Sequence, residues 1–326
     1  VWVRQEKEPI EVRRKIQALA EQIKAEAEDA ATEEGATRTL VWAQTSQKSS
    51  VITATEREAR VLFSVGDVFD KDPHLVGVTN GVLDLRTMDL LEEPSAARVS
   101  RRVPVAYDPA AACPTFERAI FEIFEGKRDV VACFQRAVGY SLCGDKGRKF
   151  MFMCVGEGGD NGKSLLLSTF RKLFGDYGVT VKPRVMFDRS PDAHNHDIAD
   201  LEGTRIAVIS EIKPNARFAT DEFKRLVGGT DDIRADRKHC DGREFLITFA
   251  FWAAVNRVPR LPPGDAPLGN RILAFPFLRT FKKEEQDVTL KDKFWAERAG
   301  ILNWVIEGYH AYLRNGTRGI DPPAEV

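Results

Sequence analysis

Ten consecutive residues, Val155-Gly156-Glu157-Gly158-Gly159-Asp160-Asn161-Gly162-Lys163-Ser164, are of the types that hold a triphosphate. Glycines let backbone N–H groups curl around phosphate oxygens, and a helix N-terminus adds partial positive charge. In such a loop Lys163 reaches the β- and γ-phosphates and the Ser164 hydroxyl ligates Mg²⁺. Gly158, Gly159, Asp160, Asn161, Gly162, Lys163 and Ser164 are therefore the expected contacts of ATP. One departure stands out. Glu157 lies five residues before Gly162, with Gly156 one place further out, so the loop is one residue longer than G-x-x-x-x-G-K-[ST]. A surface glycine loop without phosphate is the plainer alternative, and the flanks argue against it. An apolar run from Phe150 to Val155 precedes the loop, and Leu166, Phe170, Leu173 and Phe174 follow at helical spacing. Strand, glycine loop and helix in that order form the phosphate-binding arrangement.

Two other apolar runs end in polar groups suited to the same chemistry. Arg205 to Glu211 reads as a buried strand ending in an acid that can polarise an attacking water or bind Mg²⁺ through water. A solvated strand-end carboxylate is the bland alternative for Glu211. Phe249 to Asn256 reads as another strand, and Asn256 at its end could hydrogen-bond the water or the γ-phosphate; alone it is a weak signal, because Asn also favours turns.

These groups need a scaffold, and the chain is long enough for one. Its 326 residues suit two domains, or one with a substantial appendage. The 43% hydrophobic and 30% charged composition is that of a soluble globular protein, and no apolar run approaches the roughly 18 residues of a membrane span. Five cysteines form no CxxC pair, which points to a reduced, cytoplasmic setting without a disulfide framework or zinc module. With 48 basic and 49 acidic residues the chain is not globally basic, so it does not coat nucleic acid over its whole surface. A local contact through a few basic residues is left open. The opening Val1-Trp2-Val3-Arg4 carries neither initiator Met nor signal segment, as expected of a piece of a longer polypeptide.

Along the chain, Ile16, Leu19, Ala20, Ile23 and Ala27 give residues 10–34 helical spacing, and a second helical pattern covers 39–63. Asn80-Gly81 between two apolar runs predicts a hairpin across 75–85. A Pro- and Ala-rich connector follows from Pro94 to Pro114, then helical spacing over 115–143. From about residue 149 apolar runs alternate with helices, the pattern of an α/β nucleotide-binding core, and 284–314 reads as a helical tail. His194-Asn195-His196 has no third ligand at suitable spacing, so a metal site there is not expected.

Taken together, these segments resemble a known family. Val155 to Ser164, Val208 to Glu211, Phe223 to Asp231, Val255 to Pro259 and Gly269 to Phe277 stand in the order of a superfamily 3 helicase. The likeness is to the helicase part of poxvirus-, phage- and plasmid-type primase–helicases, and it spans roughly residues 60 to 315, including Thr79 to Leu85 and Val138 to Leu142. The resemblance implies an α/β fold with an AAA+ P-loop NTPase core at 146–281, a largely helical N-terminal collar or oligomerisation region at 1–145 and a C-terminal helical segment at 282–326. It implies a hexameric ring with ATP bound between subunits, Glu211 as catalytic acid, Asn256 as sensor and Arg271 as the arginine finger offered to the neighbour's ATP. It also implies a primase or polymerase domain upstream. A guanidinium suits the charge spread over phosphoryl oxygens in the transition state; outside this context Arg271 would read as a surface ion pair. Many family members carry two acids where this chain has Ser210 before Glu211, so Mg²⁺ ligation by a first acid is not implied here.

The segment Asp232 to Phe245 falls where these helicases place a β-hairpin that projects into the ring's channel. Asp241-Gly242 supplies turn chemistry, and Arg237, Lys238 and His239 are the expected DNA contacts. Lys238-His239 is similar to the Lys-His pair that holds the DNA backbone in papillomavirus and polyomavirus replicative helicases. Such contacts read charge and not sequence, as translocation requires. A solvated charged turn is the alternative. The leading expectation is an ATP-driven DNA helicase motor of a viral or mobile-element replication protein. Its rivals are a nucleotide-dependent DNA-binding or loading module and a small-molecule P-loop kinase, which would leave Arg271 and residues 232–245 unexplained.

Overall fold

The computed structural model describes residues 10–62, 68–147, 149–187, 194–209, 212–213, 216–228, 233–235, 243–259, 266–316 and 319–326. By their contacts the residues divide into two compact units, one within 3–69 and the other from residue 70 onward.

The first unit holds three helices, α1 (Ile10–Glu26), α2 (Glu33–Ser46) and α3 (Ser49–Leu62). Thr32 caps α2, its hydroxyl accepting the Gly35 N–H at 3.1 Å. The single pattern expected over 39–63 is two helices. Thr45, Ser46, Ser49 and Ser50 flank the break, and their hydroxyls compete with helical hydrogen bonding. Ala20, Ile23, Ala27, Ala43 and Ile52 form the buried seam, while Gln47 donates to Glu21 at 2.6 Å across α2 and α1.

The second unit begins with a three-stranded antiparallel sheet, β1 (Leu75–Val78), β2 (Gly81–Asp84) and β3 (Asp89–Leu90). The expected hairpin is present, with Val78 opposite Gly81, so the two turn residues are Thr79 and Asn80. Asn80 does more than turn the chain. Its amide donates to the Tyr107 carbonyl and accepts the Tyr107 N–H, both at 2.9 Å, stapling the Pro-rich connector to the hairpin.

Next come α4 (Pro114–Ile123), α5 (Arg128–Leu142), β4 (Met151–Val155), α6 (Lys163–Leu173), β5 (Gly178–Val181), α7 (His194–Ala199), β6 (Ile206–Ile209) and α8 (Thr220–Gly228). The remaining elements are β7 (Ile233–Ala235), β8 (Arg243–Phe245), β9 (Ala250–Val255), α9 (Ala266–Gly269), β10 (Ile272–Pro276), α10 (Leu290–Ala296) and α11 (Arg298–Arg314). Five strands form an all-parallel sheet in the order β10-β4-β9-β6-β5. The alternation expected from residue 149 thus gives a mixed α/β unit around a parallel sheet, compatible with a P-loop NTPase core.

Period-two alternation assigns each strand residue to a face. On β4, Phe152 and Cys154 enter one hydrophobic cluster with Phe116, Phe134, Phe170 and Trp304, whereas Met151 and Met153 enter a second with Phe223, Leu226 and Ile233. Both faces are covered, as parallel sheets require. The helical tail packs α11 along α5, and glycines set the closeness of that crossing. A Cβ on Gly139 would lie 2.1 Å from the Tyr309 amide nitrogen, and one on Gly308 2.1 Å from the Gln135 carbonyl oxygen. α4 and α5 share the first of these clusters with β4 and α6, so the division by contacts falls at 69/70, while residue 145 lies within the second unit. Among the described residues no helix is long and apolar enough to cross a membrane.

Candidate functional site

Val155 ends β4 between two neighbours that clamp the root of the glycine loop. The Phe277 N–H donates to the Val155 carbonyl at 2.6 Å, and the Gly156 N–H donates to the Val255 carbonyl at 3.1 Å. Three residues of the loop take left-handed backbone: Gly158 (φ 74°), Asp160 (φ 58°) and Gly162 (φ 84°). Gly162 is held by space as well as by φ, since a Cβ there would meet Ile123 Cδ1 at 2.7 Å. It stands at the N-cap of α6 without a side-chain cap, leaving the first N–H groups of the helix for a ligand.

Lys163 is buried at this helix start, 8% exposed. Its amine donates to the Gly156 carbonyl at 2.6 Å and to Asn161 Oδ1 at 2.7 Å. Desolvation pushes the Lys163 pKa below the ordinary lysine value. Ser164 is exposed beside it. The residues fit a phosphate group on two counts: a buried amine at a helix N-terminus, where the macrodipole opposes a cation, and open space around Gly158 and Gly159.

Asn256 follows β9 directly, and Val255 pairs with Val155, so Asn256 is exposed next to the loop root. Arg257 forms an exposed ion pair with Glu157 at 2.9 Å on the same rim. β6 ends at Ile209; Ser210 and Glu211 lie outside the described residues. So do Arg237, Lys238 and His239, but the strands on either side of them are described. β7 and β8 pair antiparallel, with Ile233 opposite Phe245 and Ala235 opposite Arg243, the base of a hairpin at the expected place. The side chains of His194 and His196 also lie outside the described residues, and among those described no group of three His, Cys, Asp or Glu could hold a metal.

Arg271 is not brought to this loop. It precedes β10, and its carbonyl accepts the Met151 N–H at 2.7 Å, at the amino end of the strand pair whose carboxyl end carries the loop. The five residues of β10 separate Arg271 from Phe277, a Cα-to-Cα rise of roughly 20 Å. Its Nη1 is buried and has no hydrogen-bond partner among the described residues.

Sequence reasoning passed over the strap after β10. The Phe281 N–H donates to the Asp160 carbonyl at 3.0 Å. Asn161 Nδ2 donates to the Arg279 carbonyl at 3.2 Å and to Thr280 Oγ1 at 3.3 Å. Arg279 pairs with Glu285 at 3.2 Å and Glu122 at 3.7 Å, with its guanidinium over the Phe281 ring. No spacing signal links residues 118 or more positions apart; only the pairing of β10 with β4 brings them together.

A family described as "D5 N terminal like" matches residues 1–125, and a family of unknown function (DUF5906) matches 154–271, from the end of β4 to Arg271. The putative helicase V13 of Sputnik virophage is 26% identical over 206 residues, covering 58% of this chain and 26% of that protein. The putative helicase 184R of Invertebrate iridescent virus 6 is 25% identical over 248 residues, 71% of this chain and 25% of that protein. The chain thus spans about a quarter of the length of these relatives. Among solved structures, the apo C-terminal region of NrS-1 is similar at a TM-score of 0.49 and 12% identity, over 64% of this chain and 49% of that one.

Proposed function

The chain is a superfamily 3 primase–helicase-like protein, and from that premise we propose that it is the ATP-driven motor of a viral or mobile-element DNA helicase. Its function is of the helicase type. The finer reading is a hexameric AAA+ ring in the host cytoplasm, moving on single-stranded DNA or at a fork, with a primase or polymerase domain elsewhere in the full protein. In that ring residues 146–281 are the motor, 1–145 the collar and 282–326 the tail.

One observation carries the reading. Lys163 and Arg271, the two cations this reading assigns to phosphoryl chemistry, sit at opposite ends of one strand pair. A single copy cannot bring both to one nucleotide, whereas copies set side by side can. Lys163 then holds the β- and γ-phosphates in its own subunit, and Arg271 of that subunit faces the next copy's nucleotide. Asn256 orients the attacking water beside the loop, and Glu211 polarises it. Ser164 and Glu211 would hold Mg²⁺, which when bound neutralises charge on the phosphate oxygens. Arg237, Lys238 and His239, in the segment that joins β7 to β8, hold the DNA backbone without reading sequence.

The test is ATP hydrolysis and strand displacement by the wild type, Lys163→Ala, Arg271→Ala and a Lys238/His239 double alanine variant. Mixing the two inactive single variants should recover part of the ATPase activity, because some interfaces then pair an intact Lys163 with an intact Arg271. No recovery on mixing, with both variants assembled, overturns the shared site. Normal unwinding by the double variant overturns the hairpin contact.

The pinned extra residue of the loop favours one alternative, a nucleotide-dependent DNA-binding or loading module. ATP bound by assembled protein with DNA present, yet never turned over, would select it.

A further inference from the structure

We infer that Asn161 is a positioning residue that couples Lys163 to the strap following β10, and that the extra residue of the loop exists to make this connection. The inference rests on the nucleotide reading of Lys163 and goes beyond it in assigning Asn161, Thr280 and Phe281 a role. Asn161 is 3% exposed, and both ends of its amide are engaged. Oδ1 accepts from the Lys163 amine at 2.7 Å. Nδ2 faces three oxygens: Glu157 O at 3.3 Å, Arg279 O at 3.2 Å and Thr280 Oγ1 at 3.3 Å. The residue before it, Asp160, takes a left-handed φ of 58° and accepts the Phe281 N–H at 3.0 Å. Asp160 and Asn161 therefore form a bulge docked on residues 279–281 by backbone and side chain together.

That strap is braced at its far side. The Arg279 guanidinium pairs with Glu122 on α4 and with Glu285, whose carboxylate also accepts the Lys282 N–H at 2.8 Å. Gly162 lies close to Ile123 of the same helix α4, near enough that a Cβ would clash with it. The loop thus lies against α4 at Gly162 and is linked to it through Asn161 and Arg279.

The amine of Lys163 has three N–H donors, and two are committed within the loop. A lysine that bridges β- and γ-phosphates must release at least one of these acceptors. Asn161 Oδ1 is the movable one, since Gly156 O belongs to backbone clamped between β9 and β10. While no phosphate is present, Asn161 keeps the amine aimed into the loop. When phosphate takes the amine, Asn161 stays attached to the strap through Nδ2 alone. Nucleotide occupancy is thereby felt at residues 279–281, and the loop is preorganised before binding.

The experiment measures equilibrium binding of Mg·ATP, steady-state KM and kcat, and thermal unfolding for the wild type, Lys163→Ala, Asn161→Ala, Thr280→Val and the Asn161/Thr280 double variant. Lys163→Ala should abolish binding. Asn161→Ala should weaken it by about tenfold, the scale of one or two hydrogen bonds, with KM rising in step and kcat within about twofold. Thr280→Val, an exposed change, should weaken binding by about two- to threefold, and the double variant should be no worse than Asn161→Ala. Binding lost in Lys163→Ala but unchanged in Asn161→Ala overturns the coupling and leaves the nucleotide reading standing. Wild-type binding by Lys163→Ala overturns the nucleotide reading itself. A fall in kcat with KM unchanged assigns Asn161 to chemistry and rejects a positioning role. If Asn161→Ala does not fold, unchanged KM in Thr280→Val counts against the coupling.

Discussion

Lys146 and Lys163 are equally buried, each 8% exposed, but they occupy opposite poles of their helices. Lys146 lies at the carboxyl end of α5, where its amine donates to the Tyr140 carbonyl at 3.0 Å, the Ser141 carbonyl at 3.2 Å and the Cys143 carbonyl. The Tyr140 ring lies 4.7 Å beneath it, and Arg205 donates to Leu142 O at 2.7 Å beside it. Three donors meet three acceptors at the pole where the macrodipole favours a cation. Lys163 lies at the amino end of α6, where the macrodipole opposes it, with two acceptors from its own loop. One lysine is complete within the chain. The other stands at the pole where, under the proposed nucleotide reading, an anion completes it.

The comparison breaks most directly at Lys163. Lys163→Ala should reduce ATP hydrolysis by ~10³ or more while thermal unfolding shifts little, because the amine serves the ligand and not the core. A large loss of stability with turnover intact would make Lys163 a second Lys146. Arg271 is also incompletely paired, its buried Nη1 lacking a partner among the described residues. Arg271→Ala should lower kcat by about 10³, with ATP affinity within a few-fold of wild type. An equal loss of affinity would place Arg271 in its own subunit's site.

Lys146 should behave in the opposite way. Lys146→Met leaves three carbonyls short of a donor and should cost about 2 kcal/mol in denaturant unfolding, with ATP binding unchanged. A further effect is in pH. Burial pushes the Lys146 pKa down from 10.5 to about 7. Between those values the unfolded chain binds more protons, so this group makes stability rise as pH increases from about 7 towards 10.5, and its cost is fully present below about 7. Lys146→Met should flatten that part of the stability profile, which makes its deficit larger at high pH than at neutral pH. An unchanged slope would assign the titration to another group.

How far the sequence carried each part differs by residue. The glycine loop with Lys163 was legible because its chemistry needs consecutive residues, and its strand and helix flanks follow as β4 and α6. The hairpin at 75–85 was legible from Asn80-Gly81, although Asn80 spends its amide on Tyr107. The helical pattern over 115–143 hid a break at residues 124–127, where Glu125 and Gly126 take positive φ. β5 and β10 were not read as strands; they are the two edge strands of the sheet and only partly buried, so they lack the continuous apolar run that marks the central strands. Lys146 carried no signal, because Gly144-Asp145-Lys146-Gly147 reads as an ordinary polar turn.

By itself the sequence determined the local features: a glycine-rich loop before a helix, alternation of apolar runs and helices, and the hairpin across residues 75–85. Each follows from forces acting over a few residues, such as backbone sterics, side-chain periodicity and turn chemistry. Tertiary structure alone decided which residues meet. The pairing of β10 with β4 put Arg271 at the far end from Lys163 and laid residues 279–281 against Asn161. The same packing gave two lysines of equal burial opposite helix poles. Helix dipoles, desolvation and hydrogen-bond completion depend on neighbours distant in the chain, and chain spacing does not encode them.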